Sequence, residues 1–517
     1  MLIFIIKDGR ALDKSAVARR LTLVYNAYYM HQKKSKRRQR TQLAFVYTLM
    51  TLAVVSIVAV LVLILLGYRF NRYDGKVEQG GLVQFDSRPT GATVTLNTIQ
   101  LANRTPSKIT VSAGQHTVIF KRDGYNQWQK DVVVKPGSVL WLNYARMLPV
   151  SLQSSTVAKS STISSMVVSP NRKFAAYVGV ANSPEITFVT VGEDTPVVTT
   201  ATMPATSYTA VPEGTSQSFT VLAWDKDSHL VLVRHNFGDV SEYLLVDQRD
   251  TKQVQNISSL LGLSAKKMVF SYADSNILYV LTATNEVRQA NISARTLSGP
   301  LLTNVADFQQ HDRSTLTYET LPDMARMRHA GYLTLGASKP KVVRSQPDGS
   351  AASFVLRFGR YYNTNYALIT SGDTTEIMSG TVPPSDSEDP LALKRVALLP
   401  TADGADHAGF SPGENRFVYI QKGTQLVTYD LELQQPSTLL FTAAPNRSVD
   451  WIDSYHVAST INGVARFADF DGTNDQVVAT KDSADLPVFI ASGDKYIYHV
   501  ATGAGGSSLV RTKLLAD

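Results

Sequence analysis

The feature that most restricts how this chain can fold is a turn-and-strand unit that recurs along residues 150–517. One variant reads Val168-Ser169-Pro170-Asn171 before Ala175-Ala176-Tyr177-Val178, and again Phe410-Ser411-Pro412-Gly413 before Phe417-Val418-Tyr419-Ile420. A second reads Trp224-Asp225-Lys226-Asp227-Ser228 before Leu230-Val231-Leu232-Val233, with relatives at Tyr272-Ala273-Asp274-Ser275 and Trp451-Ile452-Asp453-Ser454. Weaker copies stand at Asp312-Arg313-Ser314, Tyr362-Asn363 and Ser492-Gly493-Asp494. The eight anchors recur at a mean interval of about 46 residues, close to the ~40–45 of a four-stranded propeller blade. A ring of such blades leaves no long open sheet edge, so a long run of short strands stays soluble. The expectation is an all-β propeller over 150–517, of eight blades, or seven if the first and last units share strands. Tyrosines and tryptophans at the anchors are expected to pack in blade cores.

A second constraint lies near the N-terminus. No residue from Thr41 to Tyr68 is charged, and Leu43–Leu66 is almost wholly aliphatic. At ~1.5 Å per residue this segment spans a ~30 Å hydrocarbon layer with some tilt. It is longer than the ~7–15 apolar residues of a signal peptide, and Leu65-Leu66-Gly67-Tyr68-Arg69 makes a poor cleavage site. A retained transmembrane helix over 41–68 is expected. Lys33, Lys34, Lys36, Arg37, Arg38 and Arg40 precede it, whereas Arg69, Arg72 and Lys76 follow it diluted by Asp74 and Glu78. The positive-inside bias then puts residues 1–40 in the cytoplasm and the remainder outside. Met1–Ile6 is apolar but too short to span, and Met30 directly before the basic run is an alternative start.

Charge and composition narrow the chemistry. Residues 1–40 carry eleven Lys/Arg and two Asp, so the chain's formal +8 resides in that tail and the rest is nearly neutral. No nucleic-acid partner is expected of such a body. The absence of cysteine excludes disulfide scaffolds, cysteine nucleophiles and cysteine-bound metals.

Residues 80–149 read as short strands separated by turns. Ala92-Thr93-Val94-Thr95-Leu96 alternates as a half-buried strand does, and Val111, Thr117–Phe120 and Val132–Val134 are further strand candidates. Pro89-Thr90-Gly91 fits a type I turn. Tyr125 and Trp128 are expected to cap an open face. In Ser87-Arg88-Pro89-Thr90-Gly91-Ala92, Thr105-Pro106, Gly114-Gln115-His116 and Gly124-Tyr125, the segment resembles the PEGA domain, departing from it at Asn97-Thr98 and at Asn103. Asn103, standing where that family has glycine, is expected to tolerate left-handed backbone. The resemblance implies a small surface-exposed β-sandwich of bacterial or archaeal envelope proteins, with no catalytic residues. The repeats of the C-terminal region resemble TolB-like and WD-repeat-like propellers, most closely at Phe410-Ser411-Pro412 and at Asp469-Phe470-Asp471-Gly472-Thr473-Asn474.

Motifs of catalysis are scarce. The nine histidines are scattered, and neither His-Glu-x-x-His nor Gly-x-Ser-x-Gly occurs. Gly503-Ala504-Gly505-Gly506-Ser507-Ser508 reads as a loop between the last strands, and Asp469-x-Asp471-Gly472 as a hairpin turn, since the distal glutamate of a calcium loop is missing. Ser385-Asp386-Ser387-Glu388-Asp389 reads as a mobile acidic loop. No catalytic residue, metal or cofactor is expected. The function expected is that of a membrane-anchored envelope protein whose propeller binds a protein, peptide or glycan, with the sandwich as spacer or wall contact. The alternative is an envelope polysaccharide- or peptide-processing enzyme working at the channel. Long intervals between anchors nominate loops near 200–218, 337–352 and 380–392 as partner contacts, with Tyr208 and Phe219 as candidate anchors.

Overall fold

A computed structural model describes residues 36–65, 68–71, 76–212, 214–349, 354–400 and 404–515. Most of the basic tail and the Met30 start lie outside them. The first helix runs Lys36–Leu65. Its Arg40–Ile64 segment has a mean hydropathy of 2.6 and no buried side chains, long and apolar enough to cross a membrane. Thr41, Thr48 and Thr51 each donate their hydroxyl to the carbonyl four residues back at 2.8 Å, which satisfies these polar groups within the helix itself.

The described residues fall into two compact units. One holds the helix and most of the first sheet of the small domain. That sheet orders Tyr68–Asn71, Lys76–Arg88 and Ser107–Ser112, with Val139–Arg146 on the other side of Lys76–Arg88. Val83, Phe85, Val111, Leu140 and Leu142 are among its buried apolar residues. The second unit contains most of the second sheet, ordered Ile99–Gln100, Thr93–Leu96, Gly114–Lys121 and Trp128–Val134, together with the propeller. Within it Trp128 is fully buried and stacks on Phe120 at 5.0 Å, so it is a core residue. The peptide bonds before Pro89 and Pro106 are cis, and the left-handed position is Asn97 (φ 55) and not the expected Asn103.

The propeller has eight blades among the described residues, each a four-stranded antiparallel sheet. Blade 1 runs Ser165–Val168, Phe174–Val178, Glu185–Thr190 and Val198–Thr202. Blades 2 to 7 repeat this order, starting at Gln217, Ala265, Val305, Val355, His407 and Asp450. First strands of neighbouring blades meet around the axis: Val221 N donates to Ser165 Oγ at 3.1 Å, and Trp224 Nε1 to Val167 O at 3.2 Å. Fourth strands face outward, as the exposed residues of Val198–Thr202 show.

The sequence anchors are the turns between first and second strands, and a side-chain acceptor caps several of them. Asp225 Oδ1 takes the N–H groups of His229 (2.6 Å) and Leu230 (2.8 Å), and Asp453 Oδ1 those of Tyr455 (2.9 Å) and His456 (3.0 Å). In the Ser-Pro variant, Ser169 Oγ accepts from Phe174 N at 3.0 Å and Ser411 Oγ from Phe417 N at 3.1 Å. At these turns the repeat therefore reflects the need for a short acceptor side chain to satisfy backbone donors.

Blade 8 is completed from the other end of the propeller. Its strands Phe489–Ile490, Tyr496–Gly503 and Gly506–Lys513 receive Ser154–Ser160 as the fourth, with Ser507 opposite Ser160 and Thr512 opposite Ser154. A buried polar chain supports this seam. Asp482 Oδ1 meets His499 Nδ1 at 2.9 Å, His499 Nε2 meets Thr512 Oγ1 at 3.1 Å, and Thr512 Oγ1 meets Ser154 Oγ at 2.7 Å. His499 and Asp482 are almost completely buried.

The small-domain residues that belong to the propeller's own unit dock on blade 7. Trp128 Nε1 donates to the buried Asp469 Oδ2 at 3.1 Å, and Lys130 Nζ reaches Asp471 at 2.6 Å. Tyr144 stacks on Tyr455 at 4.6 Å, and Arg146 lies 3.4 Å from Asp453. The Asp469–Gly472 segment is indeed a hairpin turn, closed by Gly472 N donating to Asp469 O at 2.9 Å.

Two outcomes follow for stability. His499→Ala leaves the Asp482 carboxylate buried without its partner and lowers unfolding free energy by about 3 kcal/mol. The readout is the urea midpoint of the full chain in detergent, with exposed Lys159→Ala changing it by less than about 0.5 kcal/mol. Asp469→Ala removes the acceptor of the Trp128 indole, so tryptophan emission shifts to longer wavelength well before the global transition. An unchanged emission profile would show that the docked sheet does not depend on this carboxylate.

Candidate functional site

The first strands carry charged residues in the middle of short apolar runs, and the ring brings these together. Lys267 on blade 3, Asp307 on blade 4 and Arg357 on blade 5 are all first-strand residues, and Glu319 lies on the second strand of blade 4. Lys267 Nζ donates to Asp307 Oδ1 at 2.7 Å and to Phe308 O at 2.8 Å, tying blade 3 to blade 4. Arg357 Nη1 lies 3.7 Å from Glu319 Oε1 and donates instead to Leu356 O at 2.9 Å.

Burial governs the electrostatics of this strip. It pushes the Glu319 carboxyl up to about 7, with Arg357 opposing the shift and Asp307 adding to it. Burial also lowers the Arg357 guanidinium, against the pull of Glu319. On the neighbouring turn, burial lowers His311, partly offset by Asp312.

Two cavities flank the axis. One of ≈ 450 Å³ spans blades 4, 5 and 6, between Gln309–His311, Arg357 and the first strand of blade 6 at Asp406–Phe410. The other, ≈ 520 Å³, draws on the first strands of blades 7, 8, 1 and 2, with Arg172, Trp224, Arg447 and Trp451 in its wall. There Arg447 Nη1 lies 2.5 Å from Asp450 Oδ2, which also accepts from Val488 N at 2.9 Å. Burial raises the Asp450 carboxyl, with Arg447 opposing. Gly359 permits close approach of blades 5 and 6, since a Cβ there would meet the Phe410 ring at 2.5 Å. Among the described residues, no group of three or more histidines and carboxylates is placed to hold a metal ion.

The residues nominated from sequence fall elsewhere. Phe219 sits inside the first strand of blade 2, is 1% exposed and stacks on His235 at 4.3 Å. It is a core residue and not a loop anchor, because the strand begins at Gln217, within what had read as loop. Tyr208 lies in the preceding connection, half-buried, and packs edge-on against Phe219 at 5.3 Å. The segment 337–352 holds a strand, Lys341–Pro347, with its last residues outside the described ones.

The acidic loop is pinned, not mobile. Ser385 is buried, exchanges hydrogen bonds with Thr334 at 3.0 Å, and donates to Lys339 O at 2.7 Å. Lys341 Nζ donates to the carbonyls of Ser387 and Asp389. Anchor aromatics also divide: Trp224 is buried, but Tyr272 and Tyr362 are 49% and 72% exposed. Tyr362 further adopts a left-handed φ of 49°, uncommon for a bulky residue.

Sequence reading missed the Lys267–Asp307–Glu319–Arg357 strip. Its signal was present, charged residues set inside four short strands. Their proximity was not, since Lys267 and Arg357 belong to blades two positions apart.

Residues 81–147 match the PEGA domain family, so the chain carries that domain ahead of its propeller. No curated protein matches the chain. Among solved structures, it is similar to an oligogalacturonate lyase in complex with manganese, at 12% identity and a TM-score of 0.36, over 60% of this chain and 96% of that one. It is also similar to BamB from Moraxella catarrhalis, at 12% identity and a TM-score of 0.39, over 70% and 99%. The propeller domain of Cps50 (Swd1) from Myceliophteria thermophila gives 8% and 0.40, over 71% and 100%. These values are too low to transfer a function.

The Glu319 shift has a defined sign. A folded-state pKa raised from 4.5 to about 7 favours the protonated acid, so its stabilising effect is complete below about pH 4.5 and is lost as pH rises toward 7. The contribution is about 3 kcal/mol at most. Thermal melts of the full chain and of Glu319→Gln at pH 5 and pH 8 measure it. The variant gains on the wild type as pH rises; parallel pH profiles would mean that Glu319 titrates as an ordinary carboxylate.

Proposed function

We propose that this chain is a single-pass bacterial cell-envelope protein whose extracytoplasmic propeller binds a partner at its axial channel, with the PEGA domain as spacer or wall contact. The observation that carries the reading is a closed ring with charged, cavity-lined first strands behind one membrane-length helix. The basic cluster before the helix supports a cytoplasmic N-terminus. The exposed Tyr272 and Tyr362 on first-to-second-strand turns support a protein partner, being aromatic side chains of the kind enriched at protein interfaces. The role is one of binding and not of catalysis. Several buried histidine–carboxylate couples engage their own neighbours: His499 with Asp482 and Thr512, and His235 with Glu242 and Gln217.

One observation favours the second reading, an enzyme acting at the channel. Glu319, near-neutral and beside Arg357, has the properties of a general acid or base.

Two measurements test the proposal. Protease added to intact spheroplasts removes the region after about residue 70; protection of that region inverts the topology. A photo-crosslinking residue at His407 or Tyr362 gives a discrete adduct with an envelope protein, whereas one at Val198 on an outer strand does not. Adducts from Val198 alone would move binding to the outer face. Turnover of envelope polysaccharide or peptide by wild type but not by Glu319→Gln would favour the enzyme.

A further inference from the structure

The cavity between blades 4, 5 and 6 is uneven in its hydrogen-bonding capacity. Its acceptors and amides are largely engaged within the protein. Gln310 accepts from Tyr272 N at 3.0 Å and donates to Asp312 O at 2.8 Å, and Asn415 donates to Arg360 O at 3.2 Å. Asp406 takes Lys422 at 3.2 Å and Gly423 N at 2.8 Å.

Three nitrogen donors in the wall are differently placed. Arg357 keeps 21% of its side chain exposed; its Nη1 donates to Leu356 O at 2.9 Å, and the ion pair of that nitrogen with Glu319 is longer than a hydrogen bond at 3.7 Å. His311 keeps 22% exposed, and Asp312 Oδ2 lies 3.8 Å from its Nε2, also beyond hydrogen-bond reach. His407 is exposed on the first strand of blade 6.

We propose that this ≈ 450 Å³ cavity is a binding site for a small ligand bearing an oxyanion, a carboxylate or a phosphate ester, held by the Arg357 guanidinium and the ring N–H groups of His311 and His407. A guanidinium presents paired donors in a plane that matches either oxyanion. The cavity volume lies in the range of small-molecule sites, ~300–1,000 Å³. The proposal rests on the reading that the channel is where this protein binds.

Glu319 has a defined place in the proposal: it is an internal competitor for Arg357. Ionised Glu319 draws the guanidinium toward itself, whereas the protonated acid leaves it to the ligand. The charged and titratable groups around Arg357 are Glu319 and Asp307 from blade 4 and Tyr419 from blade 6; those around Glu319 are Arg357, Asp307, Arg328 from blade 4 and Lys267 from blade 3. His311 and Asp312 lie on the neighbouring turn, and Asp406 and His407 complete the wall. As Glu319 moves toward its protonated form at about 7, oxyanion affinity rises with falling pH.

The test is calorimetric titration of the full chain in uncharged detergent, near pH 6 and pH 8. The probes are inorganic phosphate, glucuronate and N-acetyl-dialanine, with glucose and N-acetyl-dialanine amide as neutral counterparts. At least one oxyanion binds at pH 6 about tenfold or more tightly than the neutral probes. Arg357→Gln weakens it about tenfold or more, and Arg357→Lys recovers part of the loss. Glu319→Gln reduces the fall in affinity between pH 6 and pH 8. His407→Ala, at an exposed position, weakens binding without disturbing the fold and serves if the arginine variants fail to fold. Phosphate alone binding assigns a phosphate ester, and glucuronate or the free peptide acid alone assigns a carboxylate. No binding by any oxyanion, affinity equal to the neutral counterparts, or insensitivity to both Arg357 and His407 overturns the proposal. Loss of oxyanion binding with the His407 crosslink retained discards this inference alone. Loss of the crosslink with oxyanion binding intact discards the partner reading alone.

Discussion

A propeller holds together only as a closed ring, and here closure depends on one strand from the start of the domain. Ser154–Ser160 occupies the outer position of the last blade, so strands separated by about 350 residues in sequence share one sheet. Without that strand Gly506–Lys513 would present an open edge with unpaired backbone groups. The Asp482–His499–Thr512–Ser154 chain lies at this seam. Its burial gives it geometric specificity: a shifted register would leave a carboxylate and an imidazole without partners in a dry interior.

The ring also explains where charge is tolerated. Most second strands are buried, as Ile277–Thr282 is throughout, and they admit little polarity. First strands line the axis, where cavities remain, and they carry Lys267, Asp307 and Arg357. Glu319 is the informative exception, a carboxyl on a second strand held close enough to Arg357 to be attracted and buried enough to resist ionisation. Such a group stores sensitivity to pH near neutrality without any histidine being involved.

Docking of the small domain's second sheet uses a different device. Asp469 is fully buried and accepts from Trp128 of the sheet and from Asn474 at 2.9 Å on its own turn. The carboxylate that organises a blade turn thus also receives the neighbouring domain. Tyr144 on Tyr455 and Arg146 beside Asp453 extend the contact to the turn between the first two strands of blade 7.

The sequence by itself determined the units that are local. A short acceptor at several first-to-second-strand turns satisfies backbone donors within five or six residues, so Ser169, Asp225, Ser411 and Asp453 were legible as anchors. The uncharged run after residue 40 likewise needs only its own length and composition to read as a membrane-spanning helix. Tertiary structure decided everything that depends on burial across blades. Phe219 looked like a loop residue because strand onset at Gln217 is set by pairing with Val231–Phe237, which a bulge at Val221 and Ala223 adjusts. The acidic run at Ser385–Asp389 looked solvated because its partners, Thr334, Lys339 and Lys341, lie on the preceding blade. Lys267, Asp307, Glu319 and Arg357 were visible one by one, but they became a site only when the ring set neighbouring strands side by side. The physical reason is that turn chemistry acts through adjacent backbone, whereas desolvation and ion pairing depend on which distant strand the fold brings near.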